Sequence, residues 1–356
     1  MTPNLTTNYL GFELASPILA SASPITSQPD VLKRLEACGA AGAVLPSLFE
    51  EQVVQEEMAT HSVLELFTDQ SAESLSYLPS FSSYNTGPDR YLRLVEEAKR
   101  AVSMPIVGSL NGATSGGWVR YARQIEEAGA DALELNIYFI PSDPFVTGRD
   151  VERRYVSLVK AVRESIRIPL AVKIGPQFSS LPNLASQLDE AGADALVLFN
   201  RYLEPEIDLE TLSVEPHLTL SRSSELRLSM RWIAILYGQV ECGLAATSGV
   251  HSGIEALRAL SAGANVVMVT SVLLKRGADY VAQMIQDMSN WLSDHDYASL
   301  DRLIGSMSRK NCPDPSGFER ANYMKALVSY LDEGAHKNVA DLVGGELLDQ
   351  HDGPMR

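Results

Sequence analysis

Residues 242–274 read CGLAATSGVHSGIEALRALSAGANVVMVTSVLL, and the order of residue types in this stretch decides the fold. CGLAATS is a short apolar run of strand length, and residues 253–262 are amphipathic with helical spacing. Gly263 stands where a helix stops in the left-handed conformation, and a second apolar run, VVMVTS, follows. The stretch therefore reads strand, helix, tight turn, strand.

Its closing phrase, LSAGANVVMVTS at 260–271, recurs as EACGAAGAVLPS at 36–47, EEAGADALELNI at 126–137 and DEAGADALVLFN at 189–200, with Gly39, Gly129 and Gly192 in the place of Gly263. Further apolar runs, SPILAS (16–21), MPIVGSL (104–110) and IPLAVKI (168–174), complete eight strands with CGLAATS. Most are almost continuously apolar, the mark of parallel strands covered on both faces. Amphipathic stretches lie between them, near 28–38, 88–102, 116–128, 149–166, 181–191, 223–238, 253–262 and 273–293. The alternation predicts an α/β fold, a (β/α)8 TIM-type barrel over residues 1–295, with inserted loops at its C-terminal face. A doubly wound sheet is the competing architecture, but SPILASASPIT lacks the GxGxxG that would open one.

Two loops are long. Residues 48–89 hold eight acidic side chains and no Lys or Arg, yet keep Val53, Leu64 and Phe67, and read as either a solvated cover or a lid over the mouth. Residues 201–222 alternate weakly and predict a short antiparallel pair at the same face. Beyond the barrel, 296–356 reads as a C-terminal helical extension, helical over 297–333 around CPDPSG, and then a loose tail.

The chain has 356 residues, 45% hydrophobic, with 29 Lys plus Arg against 45 Asp plus Glu and a formal charge of −16. That balance argues against nucleic acid as a partner. The opening MTPNLTTNYLGFEL has no basic, apolar leader, and no run is long enough for a membrane span, so a soluble cytoplasmic protein is expected. Cys38, Cys242 and Cys312 have no CxxC spacing and the histidines no HExxH, so no metal centre is expected.

Chemistry in such a barrel belongs on the loops leaving the C-terminal strand ends. Thr247, Ser248 and Gly249 end the seventh strand, and Thr270 and Ser271 end the eighth. Backbone N–H groups there, with helix N-termini, suit a phosphate, although Ser-Gly alone also makes a plain turn. Lys173 closes the fifth strand, where a buried ammonium needs an anion or a pocket. It suits either a Schiff-base lysine or a fixed positive charge beside an electron-rich ring. Asn136 and Asn200 end the flanking strands, and amides offering donor and acceptor together suit the edge of a heterocycle. Asn111, in GSLNGATSGG, is either a wall of the same pocket or part of a flexible loop, and the small Ser21 and Ala22 would let a flat ring approach the backbone.

These residues, in this order, resemble the dihydroorotate dehydrogenase family over roughly residues 10–285, through SPILASAS, ALELN, AVKIGP, LVLFN and, most specifically, TSGVHSGIEALRALSAGANVVMVTSVLL. The resemblance implies an FMN-dependent oxidoreductase acting on a CH–CH bond, as in the conversion of dihydroorotate to orotate in pyrimidine biosynthesis. It implies that Ser248, Gly249, Thr270 and Ser271 hold the FMN phosphate, that Lys173 lies beside the flavin, that Asn136 and Asn200 lie near flavin and substrate, and that Ser21 and Ala22 lie against the ring. The pattern departs where the family carries its proton-abstracting Cys, because Phe139 stands there in Asn136-Ile137-Tyr138-Phe139-Ile140-Pro141. Tyr138 is the nearest titratable candidate. Pro46 replaces a lysine the family often carries, SFSSYNTG (80–87) replaces the Asn-rich substrate loop, and SRSSELR (221–227) replaces a glycine-rich turn.

The substrate is therefore open to change. Two other readings remain: a cofactor-free lyase or isomerase forming a Schiff base on Lys173, and a non-catalytic flavin-holding subunit. A small-molecule substrate and a soluble electron acceptor or redox partner are expected, since three scattered cysteines make no iron–sulfur set. A homodimer is the further expectation for barrels of this type.

Overall fold

The computed structural model describes residues 2–49, 88–112, 115–201, 204–320, 322–324 and 326. Eight parallel strands close a barrel: β3 (Ile18–Ala20), β4 (Ala43–Phe49), β5 (Ile106–Gly112), β6 (Ala132–Ile137), β7 (Leu170–Ile174), β8 (Ala195–Leu198), β11 (Gly243–Thr247) and β12 (Val266–Val269), with β8 paired to β11 and β12 to β3. Helices lie between them: α1 (Pro29–Ala37), α2 (Pro88–Ala101), α3 (Ser115–Glu127), α4 (Gly148–Ser165), α5 (Leu181–Glu190), α6 (Leu226–Leu236), α7 (Gly253–Ala262), α8 (Ser271–Arg276) and α9 (Tyr280–Asp294).

The apolar strands split by the period of two. Val44, Val107, Ala132, Ala171, Ala195, Val197, Ala245, Val266 and Met268 point inward and form one packed cluster. Their neighbours, such as Leu133, Leu135, Val172, Leu196 and Val267, pack outward in the larger cluster with the helices. Small and β-branched residues inside fit the narrow lumen of an eight-stranded barrel.

The repeated phrase has a physical reading. Gly39, Gly129, Gly192 and Gly263 take φ of +93°, +94°, +98° and +125°, the left-handed stops the sequence predicts. Two residues on, the Asp131 N–H donates to Ile106 O at 2.9 Å while the Ile106 N–H donates back to Asp131 Oδ2 at 2.7 Å. Asp194 repeats this with Leu170 (2.8 and 2.8 Å), and Asn265 with Leu244 (2.7 and 2.8 Å). Each clasp gives a partner to a strand-start N–H that a parallel ladder would otherwise leave open. In the first copy Ala41 supplies only the backbone half, to Ile18 O at 2.9 Å.

Among the described residues, two hairpins flank the barrel. The one at 201–222 is the expected antiparallel pair, β9 (Pro205–Asp208) with β10 (Ser213–Pro216). The other, β1 (Thr7–Tyr9) with β2 (Phe12–Leu14), was not expected from the sequence; it packs Tyr9, Leu10 and Leu14 into the inward cluster and closes the N-terminal end. The helix expected over 273–293 is two, because Gly277 (φ +81°) ends α8. The stretch expected at 223–238 divides into a 3-10 turn, Ser223–Glu225, and α6. Of the extension expected after residue 296, Leu300–Arg302 and Pro315–Phe318 form 3-10 turns, the latter among prolines that lack an N–H to donate. The segment 50–87 and the tail beyond 326 lie outside the described residues. No described helix is long and apolar enough to cross a membrane.

Candidate functional site

The C-terminal strand ends open into a cavity of about 320 Å³, of ligand size. Ser21 and Ala22 after β3, Pro46 and Ser47 in β4, Asn136 in β6, Lys173 in β7 and Asn200 after β8 line it. So do Thr247 at the end of β11, Ser248 and Gly249 after it, and Thr270 and Ser271 after β12. Nine of the ten residues the sequence nominates for cofactor contact meet here; the tenth, Asn111, near the end of β5, does not line the cavity, and neither does Tyr138, nominated for catalysis. A second cleft of about 1120 Å³ adjoins it, sharing Phe199, Asn200, Arg201, Thr219, Leu220 and Ser248.

The floor is a polar network on inward-facing positions. The Asn200 amide N–H donates to Asn136 Oδ1 and, at 3.4 Å, to Ile137 O, while its backbone N–H donates to Ile174 O at 2.7 Å. Asn136 Nδ2 donates to Ser47 Oγ at 3.5 Å, and Ser47 shares a 2.7 Å hydrogen bond with Ser109. Lys173 Nζ lies 3.5 Å from Oε1 of Glu134, whose side chain is fully buried. The Tyr9 hydroxyl is buried without a hydrogen-bond partner; burial, and next the Glu134 charge, push its pKa well above the usual phenol range. Pro46 sits where the β4–β5 register shifts, which is where a strand tolerates a residue with no N–H.

The turn side is organised by a serine. Ser248 (φ +69°) and Gly249 (φ +79°) are both left-handed, and a Cβ on Gly249 would meet the Leu226 nitrogen at 2.3 Å. Only glycine fits there. The Gly249 N–H donates to Ser221 Oγ at 3.4 Å, the Ser221 N–H to Ser271 Oγ at 3.0 Å, and Lys275 Nζ to Ser221 O at 3.2 Å. Donors and acceptors that the sequence assigns to a phosphate are thus bridged by Ser221, from the SRSSELR segment. His251 Nε2 lies 3.2 Å from Ser221 Oγ, and burial, then Lys275, lower the His251 pKa.

Phe139 does not face the cavity; its half-buried ring lies under the Arg154 guanidinium, 4.3 Å from the ring centroid. The SFSSYNTG segment lies outside the described residues. Sequence reading missed Glu134, Ser47, Ser221 and Lys275. A signal existed for Glu134, since ALELN carries a charge inside an apolar strand as LAVKI does. Ser221 had none, because its place depends on a loop path. Among the described residues no group of three or more His, Cys, Asp or Glu could hold a metal ion.

The sequence profile of the family described as dihydroorotate dehydrogenase matches residues 4–292. A putative dihydroorotate dehydrogenase A (fumarate) of Aeropyrum pernix is 28% identical over 63% of this chain and 74% of its own length. Catalytic subunits of dihydroorotate dehydrogenase B (NAD(+)) from Methanothermobacter thermautotrophicus and Methanocaldococcus jannaschii are 24% and 23% identical, each over 85% of this chain and 97% of their own. The chain belongs to the dihydroorotate dehydrogenase family. FMN is that family's cofactor, and the donor set fits it: an ammonium, two amides, hydroxyls around left-handed turns, and a Ser23 hydroxyl that is buried at the cavity with no protein partner.

Proposed function

We propose that this member of the dihydroorotate dehydrogenase family is an FMN-dependent oxidoreductase acting on a CH–CH bond of dihydroorotate or a closely related cyclic amide. The observation that carries this reading is the convergence of Lys173, Asn136 and Asn200 with the Ser248, Gly249, Thr270 and Ser271 turns in one cavity. Those turns would hold the phosphate, Lys173 and the two amides would address the ring and substrate, and Ser21 and Ala22 would flank the ring. Bound FMN supplies the two-electron acceptor.

The chain's own part is to orient and to move a proton. Asn200 locks the Asn136 amide through its hydrogen bond, so both present fixed edges to a ligand. Phe139 has no group that accepts a proton. Tyr138, two residues beyond Asn136 but outside the cavity lining, is the candidate the sequence offers for that task, and Ser23, whose buried hydroxyl lines the cavity, is a candidate within it. The names of two relatives specify fumarate and NAD(+), both soluble acceptors, which supports a soluble acceptor or redox partner here.

The test is the visible spectrum of the purified protein, followed by dihydroorotate without oxygen. A flavin spectrum whose long-wavelength band bleaches supports the reading in full. A flavin that dihydroorotate does not bleach moves the substrate to another cyclic amide. A folded, colourless protein that takes up no added FMN overturns it; borohydride trapping on Lys173 by a phosphorylated carbonyl compound would then favour a Schiff-base enzyme.

A further inference from the structure

The eight barrel strands contain two charged residues, Glu134 and Lys173. They stand on neighbouring strands, and both point inward: Asn136 pairs with Lys173 in the β6–β7 register and Glu134 with Ala171, so Glu134 lies one pleat deeper than the cavity floor. The Glu134 side chain is 0% exposed and that of Lys173 10%. Neither Glu134 oxygen has a hydrogen-bond partner, and the Lys173 contact at 3.5 Å is a charge contact without hydrogen-bond alignment. A buried carboxylate in that condition is costly unless a cation answers it.

The other polar groups around it leave Lys173 as that cation. Ser109, beside Glu134 in the β5–β6 register, shares its hydroxyl with Ser47. The Tyr91 hydroxyl, from α2, accepts from the Ser109 N–H at 2.7 Å. The Tyr9 hydroxyl, from the N-terminal hairpin, feels the Glu134 charge but is not bonded to it. No other described ion pair reaches Glu134.

We infer that Glu134 is a positioning residue, whose carboxylate holds the Lys173 ammonium at the cavity floor and cancels its charge there. The pair, rather than Lys173 alone, sets how readily the bound ring accepts electrons. The inference rests on the FMN reading of the cavity. A lone cation beside an electron-accepting ring favours reduction, and a carboxylate behind it withdraws that help.

The experiment has two arms on the full chain. In flavin-free protein, Glu134→Gln, Lys173→Met and the double variant are melted against the parent. The single Lys173→Met variant is expected to melt lowest, because it leaves the carboxylate uncompensated, and the double variant to recover part of that loss. Strictly additive shifts would overturn the pairing. In flavin-loaded protein, the midpoint potential of FMN is compared between the parent and Glu134→Gln, an isosteric change that keeps the packing. The reduction equilibrium is expected to shift tenfold toward the reduced state, about 30 mV upward for a two-electron couple. Glu134→Asp should stay near the parent value, which loss of packing alone would not explain. An unchanged or lowered potential in Glu134→Gln would overturn the charge-setting role. If the protein takes up no FMN, the cofactor reading fails, and the charge-setting role with it, while the melting arm still decides whether the two side chains are paired.

Discussion

The two ends of the barrel solve opposite problems with the same strands. At the N-terminal end Asp131, Asp194 and Asn265 repeat one clasp, each closing a strand-start N–H with a side-chain oxygen. At the C-terminal end the described residues show no such repeat: an ammonium, two amides, serines and left-handed turns come from different strands. Repetition marks the end that holds the barrel shut, and irregularity marks the end that holds a ligand.

The contrast predicts that clasp substitutions cost stability and spare cofactor binding, and that mouth substitutions do the reverse. The largest expected effect breaks this rule. Gly249→Ala places a Cβ against the Leu226 backbone at a left-handed position, and should cost about 2–4 kcal/mol as well as FMN affinity, read by thermal melts and flavin titration. Next, Asp131→Ala leaves the Ile106 N–H without its carboxylate and breaks the 2.7 Å pair with Lys99. It should cost about 2 kcal/mol, roughly 3 °C in Tm for a chain of this length, with FMN affinity unchanged. A clasp variant that loses flavin at constant Tm would end the division of labour.

Asn200→Ala sharpens it from the other side. Losing the amide that orients Asn136 should slow flavin reduction by substrate about a hundredfold in stopped-flow traces, while stability falls by about 1 kcal/mol. The smallest effect is one of pH. Folded His251 binds a proton less readily than the unfolded chain, whose ordinary value is 6.5. Well above 6.5 neither state is protonated, and as pH falls through 6.5 the unfolded chain gains protons first, so stability declines. His251→Gln should flatten the slope of Tm against pH in that window.

The barrel itself was legible because its signal is local and repeated: each glycine stop, the residue two positions on and the next apolar run lie within a dozen residues. The clasp's purpose was not, since Asp131 acts on Ile106, 25 residues away in another strand. Lys173, Asn136 and Asn200 could be read as a set because strand ends in a barrel converge by construction. Ser221 could not, because its bonds to Gly249, Ser271 and Lys275 depend on the path of a loop that follows no period. The break at Gly277 and the hairpin turn at Gly11 (φ +77°) both carried a glycine that helix and loop readings passed over.

The clasped end also receives the start of the chain: the Asn4 N–H donates to Ala298 O at 3.0 Å, and the Leu300 N–H to Asn4 O at 2.8 Å. A bead or electrode coupled near residue 2 would therefore meet the barrel on its closed side, a strand length of about 20 Å from the cavity. Tethered this way, the molecule turns its open face to the surrounding solution, and substrate reaches it without crossing the support.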